Sequence, residues 1–229
     1  MLEMQSDRAM KYDSKAATLI HPTHLFSAPE VLDKPPPVPK SPGVYAWYFD
    51  EVPPRVPTEG CHQVRGHTLL YVGIAPKAPP TSGKKASSTN LHQRIRYHLS
   101  GNAYGSTLRL TLGCLLADRL GIHLQRVGSG NTRTFTNPGE QRLDAWMADH
   151  ARVVWIATEE PWKLEEELIG KLNLPLNLAG NKRHPFCAVL SALRASSVAA
   201  ALALPIAPRG GPRRVLNAAA VSPSMTQDA

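Results

Sequence analysis

Three short segments between residues 41 and 99 decide the fold: SPGVYAWYF at 41–49, LLYVGIA at 69–75 and NLHQRIRYHL at 90–99. The first two are rich in β-branched and aromatic residues and are bounded by proline, glycine and polar clusters, which predicts β-strands. The third predicts a helix, because the apolar residues Leu91 and Ile95 lie one helical turn apart. Arg94 and His98 fall on the same helical face. A face that combines apolar residues with an arginine and a histidine is a candidate wall of a functional site.

The overall composition predicts one domain with tails, or at most two small domains. Of the 229 residues, 42% are hydrophobic, which is enough to build a core. No run of 18 apolar residues is present, so no membrane span is predicted. The first residues lack the basic and apolar regions of a signal peptide. The three cysteines, Cys61, Cys114 and Cys187, are scattered, which disfavours a disulfide scaffold and predicts a cytoplasmic location.

The positive charge of the chain is concentrated in one region. The net charge is +8, and residues 61–130 hold nine lysines and arginines against one acid, Asp118. Residues 131–180 run the other way, with eight acids against five bases. Concentrated positive charge is the electrostatic footprint of a protein that binds a polyanion. A solvated basic surface is the alternative, and charge alone does not choose between the two.

The remaining segments predict further helices and flexible ends. Apolar spacing predicts helices over residues 106–120, 140–150, 162–172 and 188–202, a strand over 152–157, and a hairpin or irregular connection over 121–136. The tripeptide Asn137-Pro138-Gly139 predicts a break before the second of these helices. The block KPPPVPK at residues 34–40 predicts an extended spacer. The composition after Pro205 predicts disorder.

One of these predicted helices carries an acidic residue on its apolar face. Glu165 shares that face with Leu168 and Ile169, whereas the next two glutamates point elsewhere. An ionised carboxylate on an apolar face is costly unless it is paired or binds a metal. The position therefore predicts a partner for Glu165, either a metal cation or an arginine.

The first part of the chain resembles the GIY-YIG nuclease superfamily. Gly43-Val44-Tyr45 and Tyr71-Val72-Gly73 resemble the two tripeptides of its signature, with valine in place of isoleucine. The helix predicted at 90–99 resembles the helix that follows the second tripeptide. Arg94 stands at its arginine position and His98 at its aromatic or histidine position.

A third feature lies in the second half of the chain. Glu165 stands twelve residues before Asn177. The nuclease domain of the bacterial excision-repair incision protein has the same spacing between its metal-binding glutamate and its asparagine. With this feature the resemblance runs over about residues 43–181.

The resemblance implies an α+β fold, with a small three-stranded antiparallel sheet flanked by helices. Residues 43–49, 68–73 and 152–157 supply the strands of this sheet. The chain is then divided into a proline-rich N-terminal arm at 1–40, a catalytic domain at 41–181, a C-terminal helix at 182–204 and a disordered tail at 205–229.

The resemblance also implies hydrolysis of phosphodiester bonds in DNA with one divalent cation, Mg²⁺ or Mn²⁺; RNA is not excluded. The catalytic residues it implies are Tyr45, Tyr71, Arg94, His98, Glu165 and Asn177. Glu165 holds the metal ion, which neutralises charge on the phosphate and on the leaving 3′-oxygen. Arg94 donates two fixed hydrogen bonds to the phosphate, and Asn177 braces Glu165 or the wall of the site.

The other implied roles concern the attacking water. Tyr45, with Tyr71 beside it, helps to deprotonate this water, and His98 holds the water or a phosphate oxygen. A phenol with a pKa near 10 is a poor base at pH 7, so this role requires a nearby cation that lowers the pKa.

Five basic residues are predicted to contact nucleic acid: Lys77, Lys84, Lys85, Arg96 and Arg109. Arg109, like Arg119, is predicted to face solvent. Ile74 stands where the excision-repair domain has a lysine, which removes one phosphate contact. The basic loop from Lys77 to Lys85 is the candidate replacement.

Two other functional classes remain open from the sequence. One is a nucleic-acid-binding module on the same fold without catalysis, and the other is a protein-interaction domain that uses the proline-rich arm. No attached DNA-reading module is recognised. The sequence does not choose among restriction, repair and mobile-element roles, and the oligomeric state is not readable from it.

Overall fold

The centre of the protein is a four-stranded antiparallel sheet. The computed structural model describes residues 14–83 and 85–210. The strands of this sheet are β1 (Gly43–Phe49), β2 (Gln63–Val64), β3 (His67–Ala75) and β6 (Ala151–Ala157), in the spatial order β2-β3-β1-β6. The three predicted strands are confirmed, and the two-residue β2 adds a short fourth one. A separate ribbon pairs β4 (Gln125–Val127) with β5 (Thr132–Thr134), which confirms the predicted hairpin.

Strand β1 lies between two partners and is buried along its whole length. It pairs with β3 on one side and with β6 on the other, in both cases antiparallel. Alternate side chains enter two separate cores, as the period of a strand dictates. Tyr45 and Trp47 enter one core, and Val44 and Tyr48 enter the other. Both faces of the sheet must therefore be covered by helices.

Eight helices surround the sheet in the described part of the chain. They are α1 (Ser14–Ile20), α2 (Ala28–Leu32), α3 (Leu91–Ser100), α4 (Thr107–Leu115), α5 (Ala117–Leu120), α6 (Thr136–His150), α7 (Pro161–Lys171) and α8 (Phe186–Ala203). Helices α1 and α7 cover the face that carries Val44. Helices α3, α4, α6 and α8 cover the face that carries Tyr45. The architecture is the predicted α+β class.

Two predicted helix boundaries are wrong. Helix α6 begins at Thr136 and includes Asn137-Pro138-Gly139, because a proline in the first turn lacks only an amide that has no partner inside the helix. The helix predicted over 106–120 is divided at Leu116, where the backbone leaves helical geometry. Its leucine pattern runs on without interruption, so the sequence carries no signal of this division.

Both ends of the described chain are packed on the domain. Leu19 and Ile20 of α1 are buried, and Phe26 pairs with Val153 through two backbone hydrogen bonds of 3.0 and 2.9 Å. At the other end, Ala207 pairs with the ribbon strand β4. Ordered structure thus reaches into the predicted arm and the first residues of the predicted tail. The rest of those segments, residues 1–13 and 211–229, lies outside the described residues.

Helix α8 differs from the expectation that no segment is apolar enough to span a membrane. It has 18 residues and a mean hydropathy of 1.7, and by length and composition alone it passes a test for membrane-crossing helices. One such helix is weak evidence, because core helices of globular proteins pass the same test. Here Phe186 and Leu190 of α8 are buried in the core that covers the Tyr45 face of the sheet.

Candidate active site

The two signature tripeptides meet across the sheet. The register of β1 and β3 places Tyr45 directly opposite Gly73. A Cβ atom added at Gly73 would lie 2.5 Å from the Tyr45 hydroxyl oxygen, closer than real Cβ contacts come. Gly73 therefore leaves the room that the Tyr45 ring occupies. A similar close approach occurs at Gly43, where an added Cβ would lie 2.2 Å from the backbone oxygen of Ile156.

Replacement of Gly73 by alanine is expected to displace the Tyr45 ring and to lower the free energy of unfolding by about 1–3 kcal/mol, the usual cost of overpacking a core. Denaturant unfolding measures the change. Gly170→Ala is the matched control, because nothing lies within 4 Å of an added Cβ there. That control should be neutral or stabilising, since alanine favours a helix interior. A Gly73→Ala protein as stable as its parent would contradict the close contact.

Below Tyr45, a buried relay of hydrogen bonds runs through His98 to the start of α4. The Tyr45 hydroxyl oxygen lies 2.8 Å from His98 Nε2, and His98 Nδ1 lies 2.8 Å from Ser106 Oγ. Ser106 is the N-cap of α4, where its Oγ also accepts the backbone N–H of Arg109 at 3.1 Å. Tyr45, His98 and Ser106 are all buried. The relay therefore fixes one edge of the site without contact with bulk water.

The hydrogen bonds around His98 indicate which of its two ring nitrogens carries the proton. Burial, with the Arg94 and Arg109 cations, holds the pKa of His98 well below its usual range, so the ring is neutral and one of its nitrogens accepts. Within the described residues, His98 Nδ1 is the one acceptor in reach of the Ser106 hydroxyl proton. Ser106 therefore donates to Nδ1, and His98 Nε2 donates to the Tyr45 oxygen.

Replacement of Ser106 by alanine is expected to leave Nδ1 without its donor and to cost about 1–3 kcal/mol of stability, the penalty of an unsatisfied buried group. Nitrogen-15 NMR of the imidazole in the parent should show Nε2 protonated and Nδ1 unprotonated, and the variant should lose this preference. Ser191→Ala, at an exposed position on α8, is the control. A parent spectrum with Nδ1 protonated would contradict the assignment.

The two tyrosines are neutral phenols beside an arginine. Burial raises the pKa of Tyr45 well above its usual value, and Tyr71 adds to this effect. The Arg94 guanidinium acts in the opposite direction, by charge and by hydrogen bonding to the phenol. Burial likewise raises the pKa of Tyr71, against the Thr107 hydroxyl and Arg94. The expectation of a lowered tyrosine pKa is therefore wrong for the protein without ligands: the cation is in place, but burial outweighs it.

Glu165 and one of these phenols, Tyr71, line a common cleft. The cleft has a volume of about 550 Å³, and Tyr71, Glu165 and Asn177 all line it. Glu165 is half-buried, and burial raises the pKa of its carboxyl to about 7, while the Lys77 ammonium acts to lower it. Within the described residues, Lys77 is thus a cation that acts on Glu165. The replacement of the missing lysine by the basic loop stays a prediction.

The residues of the cleft fit a single hard divalent cation. Among residues 14–83 and 85–210 there is no group of three or more His, Cys, Asp and Glu side chains that would form a protein-only metal site. Mg²⁺ is commonly bound by one or two carboxylates, with water and substrate phosphates completing the shell. Neither an ion pair nor a hydrogen bond within those residues occupies the Glu165 carboxylate. The Glu165 oxygens therefore remain available to a divalent cation in the cleft.

Asn177 holds the strand that carries Tyr71. Its Oδ1 accepts the backbone N–H of Val72 at 2.9 Å, and its Nδ2 donates to the Val72 carbonyl oxygen at 2.9 Å. Leu176 N–H donates to the Leu70 carbonyl oxygen at 3.1 Å. The turn after α7 therefore pairs with the open edge of β3. The amide of Asn177 braces the wall of the cleft directly.

The structure corrects two predicted roles. His98 is fully buried with both ring nitrogens engaged, so it does not reach a phosphate oxygen or the attacking water directly. Arg109 is fully buried rather than solvent-facing, and it forms ion pairs with Glu140 at 2.6 Å and Asp144 at 2.7 Å. An arginine in that position makes no contact with nucleic acid.

The other predicted basic residues lie at the surface. Lys77 and Lys85 are exposed, and Lys84 lies outside the described residues. Arg96 is half-exposed and borders a separate shallow cavity with His92 and Tyr97. Contact of these residues with nucleic acid stays a prediction.

The structure adds site residues that the sequence did not single out. Ser106 and Thr107 act on His98 and Tyr71 from the start of α4. Arg194 of α8 and Arg183 line the same cleft as Glu165. The N-cap character of Ser106 was readable from the sequence. The approach of α8 to the cleft was not, since it is a tertiary contact.

A family model described as the GIY-YIG catalytic domain matches residues 43–196. This match covers well over half of the chain, together with the fold and the cleft described above. The protein belongs to the GIY-YIG catalytic domain family. A search of curated proteins and a search of solved structures each gave no significant match.

Proposed function

We propose that the protein is an endonuclease that hydrolyses phosphodiester bonds in DNA with one divalent cation, Mg²⁺ or Mn²⁺. One observation carries this proposal: the Tyr45 and Tyr71 phenols, from two strands, interact electrostatically with Arg94 and Glu165, from two helices, and Tyr71 and Glu165 line a single cleft. Membership in a family of nuclease type supports the same conclusion.

In the proposed reaction a water molecule attacks phosphorus, and the bond from phosphorus to the 3′-oxygen breaks. The Tyr45 phenol first gives up its own proton to solvent through the Tyr71 hydroxyl, its hydrogen-bond partner at the cleft. The resulting phenolate oxygen takes the proton of the water, and the leaving 3′-oxygen takes a proton from solvent. The phenolate form of Tyr45 is stabilised by two donors already in place, His98 Nε2–H and the Arg94 guanidinium. These two donors lower the free-energy cost of forming the phenolate from a Tyr45 side chain that is neutral at rest.

Arg94 and Glu165 handle the charge of the phosphate. One Arg94 nitrogen, Nη1, donates to the Gly105 backbone oxygen at 2.9 Å, which orients the guanidinium. The guanidinium also donates to the Tyr45 phenol, and its remaining N–H groups are available for phosphate oxygens. Glu165 would hold the divalent cation, which supplies Lewis acidity and compensates the negative charge of the transition state.

Cleavage of supercoiled plasmid tests the proposal. The parent protein should nick or linearise the plasmid with Mg²⁺ or Mn²⁺ and should lose this activity in EDTA. Arg94→Ala should be inactive. Arg119→Ala, which removes an arginine from a surface pair with Glu51, should cut like the parent. Absence of metal-dependent cleavage, with DNA binding retained, would overturn the proposal and favour the binding module.

A further inference from the structure

Helix α8 brings a second arginine to the cleft. Arg194 lies near the middle of α8 and lines the cleft together with Tyr71 and Glu165. The helix packs on α4, and Arg194 lies beside Cys114 of that helix. Arg183, from the turn before α8, lines the cleft as well. Two cations thus stand on the side of the cleft formed by the C-terminal part of the family domain.

Within the described residues, no carboxylate forms an ion pair with Arg194. Burial lowers the pKa of Arg194, and the groups that act in the opposite direction are Cys114 and Tyr71, both neutral at pH 7. Arg109 provides the contrast, because its buried charge is matched by two carboxylates. A half-buried guanidinium without a carboxylate is costly unless an anion joins it.

The position of Arg194 relates it to the scissile phosphate. Arg94 and Arg194 both act electrostatically on the Tyr71 phenol. Two arginines are therefore neighbours of Tyr71: Arg94, which is assigned to the scissile phosphate, and Arg194 of α8. An anion bound by Arg194 would lie in the cleft that Tyr71 and Glu165 line.

We propose that Arg194 and Arg183 form a subsite for a second, non-scissile phosphate of the nucleic-acid strand that is cut. This inference rests on the proposed function, because the strand is placed by the scissile phosphate at Arg94. In this inference, Arg194 and Arg183 hold the strand in a fixed position relative to the scissile phosphate. Arginine suits the task, since its planar fork forms paired hydrogen bonds with phosphate oxygens.

DNA binding in EDTA tests the subsite apart from catalysis. Fluorescence anisotropy with a labelled 20-base-pair DNA duplex gives the association constant from about 50 to 200 mM KCl. Each phosphate contact contributes about 0.9 to the slope of log association constant against log salt concentration. Arg194→Gln and Arg183→Gln should each reduce this slope by about that amount and weaken binding about tenfold.

Two matched variants complete the design. Arg194→Lys keeps the charge and should keep most of the slope. Lys182→Gln removes one charge from an exposed residue that does not line the cleft, and it should leave the slope unchanged. Thermal unfolding of each variant verifies the fold, and Arg183→Gln, on a surface turn, tests the subsite even if Arg194→Gln does not fold.

The outcomes separate the inference from the proposed function. If Arg183→Gln and folded Arg194→Gln keep the parental slope while the parent cuts plasmid, the subsite is wrong and the nuclease stands. If the slopes fall as expected but no metal supports cleavage, Arg194 and Arg183 bind phosphate, but the nuclease is wrong and so is the placement of this phosphate beside a scissile one. A parent that neither binds nor cuts DNA overturns both.

Discussion

Replacement of Glu165 by glutamine is expected to reduce plasmid cleavage by at least about a thousandfold, with loss of metal dependence. Glutamine keeps the size of the side chain but removes the half-buried carboxylate that lines the cleft, acts on both phenols and would hold the cation. A thousandfold loss corresponds to about 4 kcal/mol of transition-state stabilisation, a normal amount for a metal ligand. Glu159→Gln, at an exposed residue that does not line the cleft, is the matched charge control and should retain most of the activity.

The Glu165→Gln substitution is also expected to change the stability of the protein, which can be measured without catalysis. The raised pKa of Glu165, about 7 against an ordinary value of 4.5, means that the folded protein binds more protons than the unfolded chain between these pH values. Stability in the absence of metal therefore falls as the pH rises from about 4.5 to 7. Glu165→Gln removes this pH-dependent loss of stability. It should therefore stabilise the metal-free protein at pH 8, by on the order of 2 kcal/mol for a partly exposed group. A Glu165→Gln protein that cuts DNA like its parent would show that Glu165 does not hold the metal ion.

Replacement of Arg109 by methionine is expected to lower the free energy of unfolding by about 3–5 kcal/mol. The buried guanidinium donates to the carboxylate of Glu140, to that residue's backbone oxygen, and to the carbonyl oxygens of His98 and Leu99. It also pairs with Asp144. Removal of this one cation leaves two buried carboxylates uncompensated, which is the costly way to break a buried ion pair.

Denaturant unfolding measures this effect, and Arg119→Met is the comparison. Arg119 pairs with Glu51 at the surface, where an ion pair contributes only about 0–1 kcal/mol. The two variants remove the same group from opposite environments. An Arg109→Met protein within about 1 kcal/mol of its parent would show that the carboxylates find other partners, and the buried network would lose its structural role.

Local pattern was sufficient for much of the fold and for part of the site. The three strands were readable because each is a short apolar run with clear boundaries, and Glu165 was readable because it stands at a helical spacing from apolar residues. The helix carrying Arg94 begins at Asn90, whose side chain accepts the N–H of Gln93. These features depend on neighbours within a few residues of one another.

The errors concern contacts between distant parts of the chain. Arg109 was assigned to the surface because its carboxylate partners lie 31 and 35 residues further on, on α6, with nothing local to announce them. The tyrosine pKa was expected to be lowered because a cation was near, whereas the depth of burial decides the direction. His98 was given a phosphate contact by resemblance, although its spacing from Leu91 on the apolar face already indicated burial.

The pairing of Asn177 with Val72 has a consequence for association between copies of the chain. Beyond Thr68, strand β3 has no neighbouring strand on its outer side, and such an open edge is a template for unwanted strand addition and aggregation. The turn that contains Leu176 and Asn177 occupies the backbone groups of Leu70 and Val72 on that edge. One amide side chain thus takes the place of a strand, and it keeps the sheet from growing beside the cleft that Asn177 lines.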